Sequence, residues 1–292
     1  KMKYDDSLSA ATVAAGGTIG FMIPPSIGFI MYGLITENSI SKLFLAGVMP
    51  GIVQVILYIL VIAVLVRKRP DWAPDNSARV VTMKEKIASL KTTWPILVLI
   101  LVIVFGLYGG IFTATEAGAI GAVSALVLAA VTGKLSKKNL KSVTVDTAKT
   151  TGQVVLLLVG AYIFSRFLTI TRLPERMTEI AMGISSPVLL ISAICLLYII
   201  LGMFLDIYAI TILTIPILYP ISVAAGWNAI WFGVVLVKLM VTPPYGTNLF
   251  VTSSATGVPL KQLYKGSVPF LLADIVHLIL IIAIPQMSLM LV

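Results

Sequence analysis

Apolar runs of membrane length follow one another along nearly the whole chain, approximately at 8–35, 43–66, 94–110, 114–132, 150–171, 187–205, 206–225, 229–255 and 266–291. A helix of about 18 or more apolar residues crosses the hydrocarbon core. No water remains there to satisfy peptide N–H and C=O groups, so only helices and closed barrels can span it. Barrel strands alternate in hydropathy, and that pattern is absent. Mean hydropathy is +1.04, with 59% hydrophobic and 11% charged residues among 292. Soluble domains carry roughly a quarter charged residues. The fold class is therefore an all-α polytopic membrane protein, with the lipid bilayer as its solvent.

The net charge of +9 has a location. Most of it lies in 67–91 (Arg67, Lys68, Arg69, Arg79, Lys84, Lys86, Lys91) and in 133–149 (Lys134, Lys137, Lys138, Lys141, Lys149). Basic loops mark the cytoplasmic side, and two crossings separate these segments, so both are expected there. Charge placed in this way argues against a nucleic-acid partner. Cys195 sits inside an apolar run and, being alone, excludes an intrachain disulfide. Lys1 is not an initiator methionine, no signal-peptide pattern is present, and Asp5 and Asp6 lead straight into an apolar helix. The sequence thus reads as a piece whose N-terminal part is missing.

Counting crossings outward, the turn between Gly109 and Gly118 is an outer one, where Thr113 or Thr115 can cap the next helix. Arg172, Pro174, Glu175, Arg176 and Glu179 form a charge-balanced outer loop. Between 187–205 and 206–225 stands only GMFLDIYA, with Asp206 and no basic residue. A re-entrant hairpin with Asp206 near its tip is favoured over two full crossings. Irregular backbone at membrane depth survives only inside protein or along a cavity.

Two of the apolar runs carry a double helix breaker. Pro24 and Pro25 interrupt GGTIGFMIPPSIGFIMYG, and Pro243 and Pro244 interrupt LMVTPPYGTNLFV. The offset of 219 between them also maps Lys42 onto Lys261, Gly47 onto Gly266 and Pro50 onto Pro269 without gaps. By the topology above, 8–35 runs outward and 229–255 runs inward. Inverted repeats with discontinuous helices are the architecture of secondary transporters, whose site lies at the midplane.

Proline lacks an amide hydrogen and clashes with the carbonyl four residues back. The carbonyls of Gly20, Phe21, Leu239 and Met240 are therefore left without helical donors. Thr18, Ser26, Thr242 and Thr247 place hydroxyl oxygens nearby. Neutral oxygens with few carboxylates suit Na+. Beyond each proline pair a half-helix restarts, and its free amides and positive dipole end favour an anion.

GGTIGFMIPPSIGFIMYGLITENSISKLFLAGVMPG and LVKLMVTPPYGTNLFVTSSATGVPLKQLYKGSVPFL closely resemble the large membrane subunit (permease) of tripartite ATP-independent periplasmic (TRAP) transporters. GIFTATEAGAIGA and LGMFLDIYAITILTIPILYPI follow in the expected order. The resemblance implies a Na+-driven elevator-type importer of an organic anion, such as a carboxylate, dicarboxylate or sialic-acid-like compound. It also implies two partners, a small four-helix membrane subunit and a periplasmic substrate-binding protein. The location implied is the bacterial inner membrane, multi-pass, with a periplasmic C-terminus.

Carried onto this sequence, 1–66 holds the first broken helix and its successor, 67–92 a cytoplasmic linker, 93–186 arm and scaffold helices that include Glu116, and 187–292 the second-repeat hairpin, broken helix and terminal helix. The resemblance puts one wall of a first Na+ site at Gly16 to Ser26, including Thr18, Gly20, Phe21 and Pro24. It puts Asp206, Thr242, Pro243, Gly246 and Asn248 around a second, with the Leu239 and Met240 carbonyls. The expected substrate contacts are Pro25, Ser26, Lys238, Tyr245, Thr247 and Asn248.

Lys238 departs from the polar or acidic residue usual before Thr-Pro-Pro. Its ammonium has three readings: meeting a substrate carboxylate, neutralising Asp206, or snorkelling. Arg166, near a helix end, reads as a snorkelling residue. Asp274 and His277, three apart on one helix, either pair with each other or with a neighbour. Alternative functions are a stand-alone sodium/dicarboxylate symporter of related fold, against which the missing Ser-Asn-Thr hairpin tip at GMFLDIYA counts, and a passive channel. No protease or hydrolase motif points to an enzyme.

Overall fold

The computed structural model describes residues 4–73, 82–205, 207–241 and 246–292, with side chains omitted at 84–93, 246 and 247. No strand occurs among the described residues. The helices are α1 (Asp6–Met22), α2 (Ile27–Thr36), α3 (Ile40–Lys68), α4 (Met83–Tyr108), α5 (Ala114–Val131), α6 (Lys137–Thr171), α7 (Leu173–Met182), α8 (Pro187–Gly202), α9 (Ile207–Ala224), α10 (Ala229–Val241), α11 (Gly246–Thr256), α12 (Leu260–Ala283) and α13 (Gln286–Leu289). Among the described residues, six helical stretches are long and apolar enough to cross a membrane. They divide into two compact units, 1–74 with 161–292, and 75–160.

The smaller unit holds α4, α5 and the first part of α6. Thr113 caps α5 by accepting from the Glu116 amide, while the Glu116 carboxylate accepts from the Thr113 amide at 2.7 Å. This reciprocal box satisfies two end-of-helix donors. Ser136 caps α6 in the same manner, accepting from the Asn139 amide at 3.1 Å. The basic segment expected as a loop over 133–149 is therefore largely helix, since α6 starts at Lys137. Hydropathy marks where a helix leaves lipid, not where it ends.

In the larger unit, Asp5 opens α1 by accepting from the amides of Ser7 and Leu8. The small buried residues Ala10, Ala11, Ala14 and Ala15 let the backbones of α1 and α12 approach closely. The approach is tightest at Gly266, where a side chain would collide with the Ser7 carbonyl and stand 2.9 Å from the Ala11 Cβ. Around Tyr58, Leu249, Leu263 and Phe270 a common core joins α1, α3, α11 and α12. The Tyr58 and Phe270 rings meet edge to face at 5.4 Å.

The charged outer loop expected at 172–179 is also helical. Leu173, Met177, Ile180 and Ala181 recur at helical spacing, Pro174 fits the first turn, and the resulting amphipathic α7 packs on α9. The segments 187–205 and 206–225 form a packed helical pair, α8 and α9, closed by a buried Tyr198–Thr214 hydroxyl contact of 2.5 Å. At about 1.5 Å per residue, the 16 residues of α8 extend roughly 24 Å. That is shorter than a hydrocarbon core of about 30 Å.

The first proline pair interrupts its helix as expected, and the second lies outside the described residues, between the end of α10 and the start of α11. The 219-residue offset holds to the residue at the breaks: α1 ends at Met22 and α10 at Val241, and α2 begins at Ile27 and α11 at Gly246. Contacts fix the relative directions. Along α1, Ser7 lies by Gly266 and Thr18 by the residues around Asp274, so α1 runs with α12. Along α10, the Trp231 indole donates to the Ile281 carbonyl at 2.9 Å and Lys238 reaches Asp274, so α10 runs against α12. The two broken helices are therefore antiparallel, an inverted repeat.

Candidate functional site

The two interruptions face each other. The side-chain amide of Asn248, in the first turn of α11, lies against the backbone of Gly17 in α1; a Cβ there would stand 3.4 Å from its nitrogen. Reciprocally, Val237 in the last turns of α10 lies against Gly28 in the first turn of α2, with 3.1 Å left for a Cβ. Each restart thus abuts the end of the other repeat's preceding helix.

At the first break, Ser26 is fully buried and its hydroxyl donates to the Phe21 carbonyl at 2.6 Å. One carbonyl expected to lack a donor is thereby satisfied by protein. The same choice leaves α2 without a side-chain cap, because the Ser26 oxygen is turned back across the break. The Ser26 side chain accepts from none of the first-turn amides of α2, although its carbonyl accepts from the Ile30 amide at 3.1 Å. Pro24 is buried, whereas Gly16, Gly17, Gly20 and Pro25 are exposed. No side chain lies within 4 Å of a Cβ built at Gly16 or Gly20, so this face of α1 is open backbone.

At the second break, Leu239 and Met240 are buried, and the Met240 sulfur accepts from Thr211 at 3.3 Å. Asp206, Thr242, Pro243, Pro244 and Tyr245 lie outside the described residues, as do the side chains of Gly246 and Thr247. Asn248 is half-buried.

Behind the breaks lies a buried polar network. Thr18, expected at the cation wall, points into it: its hydroxyl donates to the Ala15 carbonyl at 2.7 Å, stands 2.9 Å from Tyr58 OH, and accepts from Gln54 Nε2 at 3.1 Å. Tyr58 donates to both oxygens of Asp274 at 2.8 and 2.9 Å. Lys238, 1% exposed like Asp274, places its ammonium 2.5 Å from Asp274 Oδ1. The structure thus gives the Lys238 ammonium a protein partner, Asp274, and does not snorkel it to a surface. Asp274 pairs with α10 and not with His277. That histidine is fully buried, and neither ring nitrogen has a hydrogen-bond partner among the described residues. Gln54, Tyr58 and the Lys238–Asp274 pairing escape a sequence reading; the one signal was polar residues at Gln54, Tyr58 and Asp274 inside apolar helices.

Tyr58 and His277 also correspond at the 219-residue offset, and both are buried. A separate cavity of about 620 Å³ lies between α2, α6, α7 and α9, with Thr36, Ser165, Thr169, Arg172 and Tyr219 on its wall. None of the break residues lines it. Among the described residues no cluster of three or more His, Cys, Asp or Glu side chains forms a metal site.

Comparison with known proteins agrees with this architecture. The profile of the family described as tripartite ATP-independent periplasmic transporter, DctM component, matches residues 1–287. A C4-dicarboxylate TRAP transporter large permease protein of Pseudomonas aeruginosa is 33% identical over 98% of this chain and 67% of its own length. A sialic acid TRAP transporter large permease protein of Vibrio cholerae is 32% identical over 99% and 68%. An isethionate TRAP transporter permease protein of Oleidesulfovibrio alaskensis is 32% identical over 97% of this chain and 45% of its own length.

Proposed function

Because the chain belongs to the DctM component family of tripartite ATP-independent periplasmic transporters, we propose that it is the permease of a Na+-coupled importer of an organic acid. The observation that carries this reading is the crossing itself: two helices interrupted 219 residues apart, antiparallel, each restart abutting the other repeat. Broken helices in inverted repeats form midplane sites where helix ends meet ions and substrate.

The uncapped first turn of α2 and the start of α11 offer amides and positive dipole ends to one acid group. Pro25, Ser26, Tyr245, Thr247 and Asn248 are the residues assigned in this reading to contact that acid group. Na+ takes carbonyl and hydroxyl oxygens on the opposite side of each break, from Gly20, Phe21 and Pro24 in the first repeat. In the second it takes them from Leu239, Met240, Thr242, Pro243 and Gly246, with the Asp206 carboxylate. Thr18 and Lys238 support these walls from the buried network and do not touch the substrate. The relatives are named for C4-dicarboxylates, sialic acid and isethionate, which share an acid group and differ elsewhere. The substrate class is accordingly set by one anionic head.

In this reading a periplasmic binding protein delivers the substrate, a small four-helix subunit accompanies the permease in the bacterial inner membrane, and the C-terminus is periplasmic. The unit carrying the crossing moves as an elevator. Uptake into proteoliposomes tests it: import should require an inward Na+ gradient and the binding protein, and should saturate. Asp206→Ala and Thr242→Ala should weaken Na+ activation. Unchanged activation in both removes those assignments, undiminished uptake without the binding protein favours a stand-alone symporter, and non-saturating flux favours a channel.

A further inference from the structure

The helical architecture does not require the Lys238–Asp274 pair. At the 219-residue offset their counterparts are Ile19 and Val55. The first repeat therefore builds its broken helix and following helix with no charge at either place. In the second repeat an enclosed carboxylate is met by side-chain donors from the first. Tyr58 donates to Asp274, and the two N–H groups of Gln54 are shared among Tyr58, Thr18 and Asp274 at 2.9, 3.1 and 3.4 Å. Such an arrangement suits an anion, and an anion at membrane depth needs a counter-charge from the protein or from a bound ion.

We propose that Asp274, with Tyr58, Thr18 and the Gln54 amide, is a monovalent-cation site and that the Lys238 ammonium is its tethered occupant. The ammonium carries the charge of one Na+ but is covalent to α10, so it joins α10 to α12 whatever the ion gradient. This centre contributes no mobile ion to a transport cycle. The Gln54 side-chain oxygen is buried without a hydrogen-bond partner among the described residues. The amide nitrogen faces Asp274, Tyr58 and Thr18, so a small metal ion in place of the ammonium would take this oxygen once the amide turned over. The argument stands on the geometry of the pair and not on Na+ binding at the breaks.

The test removes the tether and keeps the carboxylate. Thermal unfolding of the full-length protein carrying Lys238→Met is followed against NaCl, with choline chloride holding ionic strength constant. The rise in Tm with sodium should exceed that of the unsubstituted protein by about 3 °C or more. It should fall back to the unsubstituted protein's rise in Lys238→Met/Asp274→Asn. A sodium titration that superimposes on that of the unsubstituted protein overturns the proposal. So does a rise that persists in the double variant, or a Lys238→Met protein that fails to fold at every sodium concentration. An unsubstituted protein indifferent to sodium beside a responsive Lys238→Met supports this inference while removing Na+ coupling at the breaks.

Discussion

The side-chain amide of Asn248 stands against the backbone of Gly17, joining the restart of one broken helix to the last turns of the other. Only a residue without a side chain leaves this approach fully open. Gly17→Ala places a Cβ at 3.4 Å, ordinary contact, and should keep most activity. Gly17→Leu must push Asn248 aside. A misplacement of about 1 Å near a site costs up to roughly a hundredfold, so uptake in proteoliposomes should fall at least about tenfold.

Ser26 holds the first break together by its bond to the Phe21 carbonyl. Ser26→Ala leaves a partly buried carbonyl without that donor, a loss of about 1 kcal/mol. Ser26→Thr keeps the hydroxyl. Thermal unfolding should separate the two variants, with the alanine form the less stable; equal Tm values would show that another donor serves Phe21.

Removing one partner of a buried ion pair leaves an uncompensated charge, at about 3–5 kcal/mol. Lys238→Ala in sodium-free buffer should therefore unfold well below the unsubstituted protein. Lys238→Met/Asp274→Asn, which removes both charges at similar volume, should recover most of the loss. A double variant as unstable as the single one would mean that packing, not charge, dominates at α10.

Glycine positions on α1 and α12 should divide sharply. Gly266→Ala drives a Cβ into the Ser7 carbonyl and parts two packed helices, an overpacking penalty of about 1–3 kcal/mol. Gly20→Ala meets nothing within 4 Å and replaces a poor helix former, so stability should hold or rise slightly. Measured Tm values in detergent decide the comparison.

The membrane class, the two breaks and their shared offset were legible in the residues. Each follows from local chemistry: lipid tolerates only internally bonded backbone, and proline removes a donor wherever it stands. Hydropathy misjudged 137–149 and 173–182 because it registers solvent, while Lys-rich or amphipathic segments fold as helices without being apolar. At the breaks, two hydroxyls that the residues placed toward an ion bond to protein, Ser26 to the Phe21 carbonyl and Thr18 to the Ala15 carbonyl.

What the chain determined by itself is a set of lipid-soluble helices interrupted twice in the same register, because those properties belong to single residues and their neighbours. Which charges meet was settled only in three dimensions. From the residues, Lys238 had Asp206, a substrate or the membrane surface as possible partners, and Asp274 had His277 or a neighbouring helix. The antiparallel packing of α10 on α12 brings together Lys238 and Asp274, 36 residues apart, and encloses them where no water competes. Pairing at that separation depends on the direction and rotation of whole helices, which no local pattern encodes.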